Sequence, residues 1–205
     1  MRLIYNENYR IIDQKMSDCQ TGGRKGRGCR NNILILNGRK HPGLLQIYDH
    51  RQMFDAIGLK EALSDMYDAG VKDDNLTILY EANKEIRMAI KTQIGLTDRQ
   101  SIKNVVLQGD IFSSILASVQ VDNICKQVEA SNTGYMYKDK LATSILALVE
   151  DMVGTTDVGY KAQQMNTIIN LKSAEKRLQF GVQKCKTMLI GTAENLINKF
   201  KFRRR

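Results

Sequence analysis

The sequence predicts an α+β fold: a small, mostly antiparallel sheet backed by helices. Three observations predict it. Two apolar runs of strand length, Leu44 to Tyr48 and Leu141 to Val149, stop abruptly at carboxylates. Other stretches repeat their apolar residues with the period of a helix. The two kinds follow one another as helix, strand, helices, hairpin, helix, hairpin, helix, strand, an order that suits neighbouring antiparallel strands.

Residues 3–16 can form a helix, although Asn6 and Asn8 weaken it. Thr21 to Gly28 is a glycine-rich basic loop, whose glycines let backbone N–H groups approach an anion. It lacks the Lys-Ser/Thr ending of a P-loop, and surface turns often have this composition. Asn31 to Asn37 is a short helix or strand, and a strand then ends at Asp49. Leu59, Ala62, Leu63, Met66 and Tyr67 mark an amphipathic helix that Gly70 stops. Asp74 can cap a second helix carrying Leu76, Leu79 and Tyr80.

Ile86, Met88 and Ile90 alternate with Arg87, Ala89 and Lys91, which predicts a half-buried strand. Its expected partner is Ile102 to Leu107, with Gly95 in the connection and Gln108-Gly109-Asp110 as a turn. Ile115, Leu116, Val119 and Cys125 mark a helix, and Tyr135–Tyr137 and Leu141–Val149 read as strands. Glu150-Asp151 would form the tip of a β-hairpin. Val158 to Leu178 is a long helix ended by Phe180-Gly181, and Lys184 to Leu189 returns as a strand.

The 205 residues suffice for a real core, and the 42% hydrophobic content excludes a disordered tail. A formal charge of +9 is concentrated in two blocks. Arg24, Lys25, Arg27, Arg30, Arg39 and Lys40 form one, and Lys199, Lys201, Arg203, Arg204 and Arg205 the other. Basic clusters on a folded chain favour a polyanionic partner. For the C-terminal block, a solvated tail is the preferred reading. Cys19, Cys29, Cys125 and Cys185 form no C-x-x-C pair and only two histidines exist, which argues against a zinc site. No leader-like apolar segment or run of spanning length is present, so an intracellular chain, cytoplasmic or nuclear, with reduced cysteines and no membrane partner is expected.

A carboxylate at the end of a buried strand is costly unless a cation or hydrogen-bond donors receive it. If the strands ending at Asp49 and at Glu150-Asp151 are neighbours, three carboxylates meet. That suits Mg²⁺, which takes oxygen ligands from one or two carboxylates plus substrate phosphates. It is the minimal set for two-metal phosphoryl or nucleotidyl transfer.

Several ordered segments carry a family likeness. Ile47-Tyr48-Asp49-His50-Arg51-Gln52-Met53-Phe54, Val105-Val106-Leu107-Gln108-Gly109-Asp110-Ile111-Phe112-Ser113, Leu148-Val149-Glu150-Asp151 and Leu178-Gln179-Phe180-Gly181-Val182-Gln183-Lys184 are four motifs in series. Together with Gln20-Thr21-Gly22-Gly23-Arg24-Lys25-Gly26-Arg27, they make the chain resemble the reverse transcriptase domain of non-LTR (LINE-like) retrotransposons over roughly residues 3–191. The resemblance implies a polymerase right-hand palm with partial fingers and no thumb. It divides the chain into a partial fingers segment (1–43), a palm-like core (44–191) and a basic tail (192–205).

The resemblance also implies roles. Asp49, Glu150 and Asp151 would hold two Mg²⁺ ions, or Mn²⁺ in their place. Phe54 would lie under the incoming sugar. Gln108 and Gly109 would contact the template base and the dNTP, and Lys184 would protonate the leaving pyrophosphate or stabilise its charge. Arg24, Lys25 and Arg27 would contact the RNA template and DNA primer. The plainer alternatives are a strand-end cap for Asp49, a core residue for Phe54, an ordinary turn with a helix cap for Gln108 to Asp110, and an exposed structural lysine for Lys184.

Departures bear on activity. Glu150 stands where the family carries aspartate. The extra methylene moves the carboxylate by ~1 Å or more, and misplacement of that order can cost ~10²-fold in rate. Ile111 replaces the usual proline. The fingertip lysine and arginine have no true counterpart at Asn8-Tyr9-Arg10, and the segment between Asn37 and Leu44 is short. The expectation is an RNA-directed DNA polymerase domain impaired in this chain. The alternative is a non-catalytic nucleic-acid-binding remnant of a retroelement.

Overall fold

A computed structural model of the chain describes residues 2–37, 42–101, 112–137 and 140–190. Gln108, Gly109 and Asp110, the expected strand at 102–107 and the basic tail lie outside the described residues.

Four strands form the central antiparallel sheet: β1 (Gly43–Tyr48), β8 (Ile145–Leu148), β9 (Asp151–Thr156) and β10 (Lys186–Ile190), in the order β10-β1-β9-β8. β1 is central because its residues can be buried on both sides, and five of its six are. Register runs from Leu44↔Thr156 to Tyr48↔Met152 on one side and from Gly43↔Ile190 to Ile47↔Lys186 on the other.

Two long helices, α6 (Ser113–Ala130) and α7 (Gly159–Glu175), pack on one face of the sheet. Tyr48 faces them: its hydroxyl donates to Asn166 Oδ1 on α7 at 2.6 Å. Strand alternation then turns Asp49 to the opposite face. The core under α6 contains Ile115, Val121, Ile124, Val128, Met152 and Met165.

The remaining helices are α1 (Arg2–Lys15), α2 (Cys29–Asn37), α3 (Met53–Ala56), α4 (Leu59–Asp68) and α5 (Asp73–Asn83). α1 forms despite its asparagines because Asn8 is buried and accepts a hydrogen bond from Asn75 Nδ2 on α5 at 3.0 Å. The choice left open for Asn31 to Asn37 resolves to helix. Gly70 stops α4 as expected, at φ 94°, a left-handed conformation that a Cβ would strain. No described helix is long and apolar enough to cross a membrane.

Several expectations are corrected. Asp74 is not a cap: α5 begins after Lys72, and Asp73 and Asp74 lie in the first turn, where their charge favours the helix dipole. The stretch at 86–91 is not half-buried. Its ladders, β2 (Arg87–Met88) with β5 (Gln100–Ser101) and β3 (Lys91–Thr92) with β4 (Gly95–Leu96), are exposed on every residue. Alternation there marks a two-stranded arm without a covered face.

The run at 141–149 is two strands. β7 (Lys140–Thr143) pairs with β6 (Tyr135–Tyr137), while β8 joins the main sheet. Thr155 marks the break: its amide donates to the Ser144 carbonyl at 2.7 Å and its hydroxyl to that of Thr143 at 2.8 Å. α7 ends at Glu175 rather than near Leu178. Arg177 is left-handed at φ 59°, and the amide of buried Leu178 returns to the Ser173 carbonyl at 2.8 Å, a C-terminal cap with an apolar anchor.

Candidate active site

Asp49 is the first residue after β1. The last registered pair is Tyr48↔Met152, so one further step sets Asp49 beside Asp151, the first residue of β9. Asp151 is itself paired with Leu148. The hairpin tip is therefore Val149-Glu150, not Glu150-Asp151. The two-residue turn is tight enough to hold Val149 at φ 58°, a strained conformation for a β-branched residue.

Asp49 is held from below by the segment after α7. The Gly181 amide donates to the Asp49 carbonyl at 2.8 Å, and the Arg51 amide to the Gln179 carbonyl at 2.7 Å. Lys184 closes a turn back on the Gly181 carbonyl at 2.7 Å, which carries its Nζ to 3.4 Å from Asp49 Oδ1. Lys184 is largely exposed, so this contact is loose and screened. Asp49 Oδ2, in contrast, is buried and has no hydrogen-bond partner among the described residues.

Glu150 and Asp151 both feel the charge of Asp49. Burial pushes the Glu150 carboxyl above its ordinary value, and the charges of Asp151 and Asp49 push it further. Burial likewise raises Asp151, with Asp49 adding and Lys184 opposing. A nearby cation would favour the ionised form of both carboxyls. Among the described residues no three carboxylate, imidazole or thiol groups converge as a ready-made metal cage. Mg²⁺ does not require one, since substrate phosphates and waters complete its shell. The buried, unpartnered Oδ2 and the all-oxygen donor set fit that ion.

His50, which sequence reasoning missed, is buried behind the site. Its ring stacks on Phe180 with centroids 4.6 Å apart, and Nε2 lies 3.0 Å from Ser173 Oγ. Burial pulls the imidazole down to about 4, against the opposing effects of the Glu150 backbone and then of the Asp49 charge. It is neutral at neutral pH and serves as packing.

Phe54 lies on α3, half-buried against the core cluster. The basic loop divides in two. Lys25 and Arg27 are exposed, with Arg27 paired to Asp18 at 2.8 Å. Arg24 is buried and committed within the chain. It reaches Asp13 Oδ1 at 2.6 Å, the Asp13 and Ser17 carbonyls at 2.9 and 2.7 Å, and the Gln20 carbonyl at 3.1 Å. Its guanidinium holds the loop in place. The signal for this was Asp13, eleven residues earlier on α1.

The antiparallel sheet with its acidic strand ends, backed by helices, is an α+β fold. Structures of telomerase share it. The chain matches apo telomerase from Candida tropicalis, truncated from its C-terminal domain, with TM-score 0.67 over 95% of its length at 12% identity. It matches C. tropicalis telomerase in complex with a TWJ fragment of telomeric RNA with TM-score 0.67 over 97% at 15% identity. For Candida albicans telomerase with such a fragment, the TM-score is 0.54 over 93% at 14% identity. The chain spans 41%, 35% and 30% of those three proteins. At such identities the likeness is one of fold. No family model and no curated protein matches the chain.

Proposed function

We propose that the chain is the palm and partial fingers of a retroelement reverse transcriptase, an RNA-directed DNA polymerase of the non-LTR type. Residues 1–43 form the fingers portion, 44–191 the catalytic core and 192–205 a basic tail. The observation that carries the reading is Asp49: a strand-end carboxylate with a buried, unpaired oxygen, one register step from Asp151 and within reach of Lys184. The ordered sequence motifs and the polymerase-type fold support it.

In this reading a primer 3′-OH attacks the α-phosphorus of a dNTP, losing its proton to solvent and forming the new P–O bond as the bond to pyrophosphate breaks. Asp49, Glu150 and Asp151 would hold two Mg²⁺ ions, which supply a more acidic 3′-OH and neutralise developing negative charge. Lys184 gives a proton, or its charge, to the departing pyrophosphate. Phe54 supports the sugar and excludes a 2′-OH, and Gln108 and Gly109 orient template base and nucleotide. Lys25 and Arg27 hold the nucleic-acid backbone, and Arg24 fixes the loop that carries them.

A second reading has its own support. Glu150 lengthens one ligand arm, which favours a polymerase fold retained as a nucleic-acid-binding remnant.

Primer extension on an RNA template with Mg²⁺ or Mn²⁺ separates the two. Incorporation by the native chain that Asp49→Ala abolishes establishes the polymerase site. No incorporation by folded protein that still binds RNA, in the native chain and in Glu150→Asp alike, establishes the remnant.

A further inference from the structure

The hairpin tip is held from outside its own turn as well as within it. Val149 is β-branched and left-handed, at φ 58°, a conformation that L-residues disfavour. Its peptide groups are taken up by a side chain far away in sequence. Gln20 is fully buried, its Nε2 donates to the Val149 carbonyl at 3.0 Å, and its Oε1 accepts from the Val149 amide at 3.0 Å. The primary amide thus acts as a strand partner for one residue. The same Oε1 accepts from the Gly22 amide at 2.9 Å.

The surrounding segment completes the device. The Thr21 amide donates to the Ala147 carbonyl at 2.9 Å and the Ala147 amide to the Cys19 carbonyl at 2.8 Å, so residues 19–21 close the free edge of β8. Gly22 lies so close that a Cβ there would stand 2.1 Å from the Val149 nitrogen. Arg24 in turn binds the Gln20 carbonyl. A chain of contacts therefore runs from the basic loop through Gln20 to Val149, and the next residue is Glu150.

We propose that Gln20 is a positioning residue for the proposed reaction: by clamping both peptide groups of Val149 it sets the turn that aims the Glu150 carboxylate. The link to metal binding rests on the polymerase reading above; the clamp itself does not. Gly22 is the companion requirement, since any side chain there would displace the turn.

The test uses the full chain, residue-resolved amide hydrogen exchange and shifts by NMR, and Mn²⁺ alone as the site probe. In Gln20→Ala the Val149 amide should exchange about tenfold faster or more, as expected for a lost buried hydrogen bond. Amides of Leu45 and Ile47 should keep their protection, and Mn²⁺ affinity should fall by about tenfold. Adding Val149→Gly, which accepts the left-handed turn without strain, should return the Glu150 and Asp151 amide shifts toward native and recover part of that affinity.

Unchanged Val149 exchange in Gln20→Ala overturns the proposal. So does loss of protection across the whole sheet without rescue by Val149→Gly, which marks Gln20 as structural. If Gln20→Ala does not fold, Gln20→Glu decides by the same criteria, because it keeps the acceptor and loses the donor to the Val149 carbonyl. A native chain that binds no Mn²⁺ defeats the polymerase reading, while the exchange and shift data still decide the clamp.

Discussion

Gly181 is built against Asp49. A Cβ on Gly181 would lie 2.7 Å from Asp49 Oδ2, the buried oxygen without a partner, and the Gly181 amide already binds the Asp49 carbonyl. The absent side chain is what leaves room for the carboxylate in its present rotamer. Gly181→Ala should therefore move Asp49 by a few tenths of an ångström or more. We expect Mn²⁺ affinity to fall by about tenfold, with a change of only ~1 kcal/mol in stability, as for a typical single substitution. Mn²⁺ titration beside urea unfolding checks it, and an Ala variant that binds Mn²⁺ as the native chain does would refute it.

Glu150→Asp should raise nucleotide incorporation. The shorter arm restores the ligand length of the family pattern at a half-buried tip, where burial and the neighbouring charges of Asp151 and Asp49 oppose ionisation. A geometric fault of ~1 Å corresponds to as much as ~10²-fold in rate. Single-turnover extension on an RNA template reads the gain directly, and equal rates for the two chains would show that the glutamate is tolerated.

Arg24 and its neighbours in the loop should separate cleanly. Arg24→Ala removes a buried guanidinium from Asp13 and three carbonyls, and should cost about 1.5–3 kcal/mol, the range for hydrogen bonds to charged groups. Lys25→Ala, on an exposed side chain, should leave stability within ~0.5 kcal/mol. It should lower the salt dependence of single-stranded RNA binding by about 0.7 in the slope of log affinity against log salt. Urea midpoints and RNA titrations at several salt concentrations test both; an Arg24→Ala chain of native stability would contradict the assignment.

Asp65 should tie stability to pH. It is buried on α4, where burial raises its carboxyl above 3.8 although Lys176 and Asn123 oppose the shift. The folded state therefore holds this proton more tightly than the unfolded chain. The stability so gained is full below pH 3.8 and is lost as pH rises through the higher folded value. Over that interval the native chain should lose ground to Asp65→Asn in urea midpoint. A native advantage that grows with pH would mean that the Lys176 pair outweighs burial.

Much of the fold was legible because period and burial agree locally. The apolar spacing of Leu59 to Tyr67 reports a covered face, and the helix is there. Asp49 was legible for a different reason: a charge at the end of a buried strand needs an explanation in any fold. The exposed arm at 87–101 was misread because alternation describes which residues share a face, not whether anything covers it. The split between β7 and β8 was hidden because Thr155, which marks it by hydrogen bonding, comes from another strand.

The sequence by itself determined the α+β class, the strand ending at Asp49, the acidic hairpin and the basic glycine loop, since each depends on residues close together in the chain. Only the tertiary structure decided which of the loop's cations is buried, that Gly181 makes space for Asp49, and that Gln20 holds Val149. These pairings join residues separated by more than 100 positions in the last two cases, and Arg24 needs the end of α1 to find Asp13. An amide, a missing Cβ or an arginine has the same local signature whether it faces water or a partner, so its role is set by what the fold brings against it.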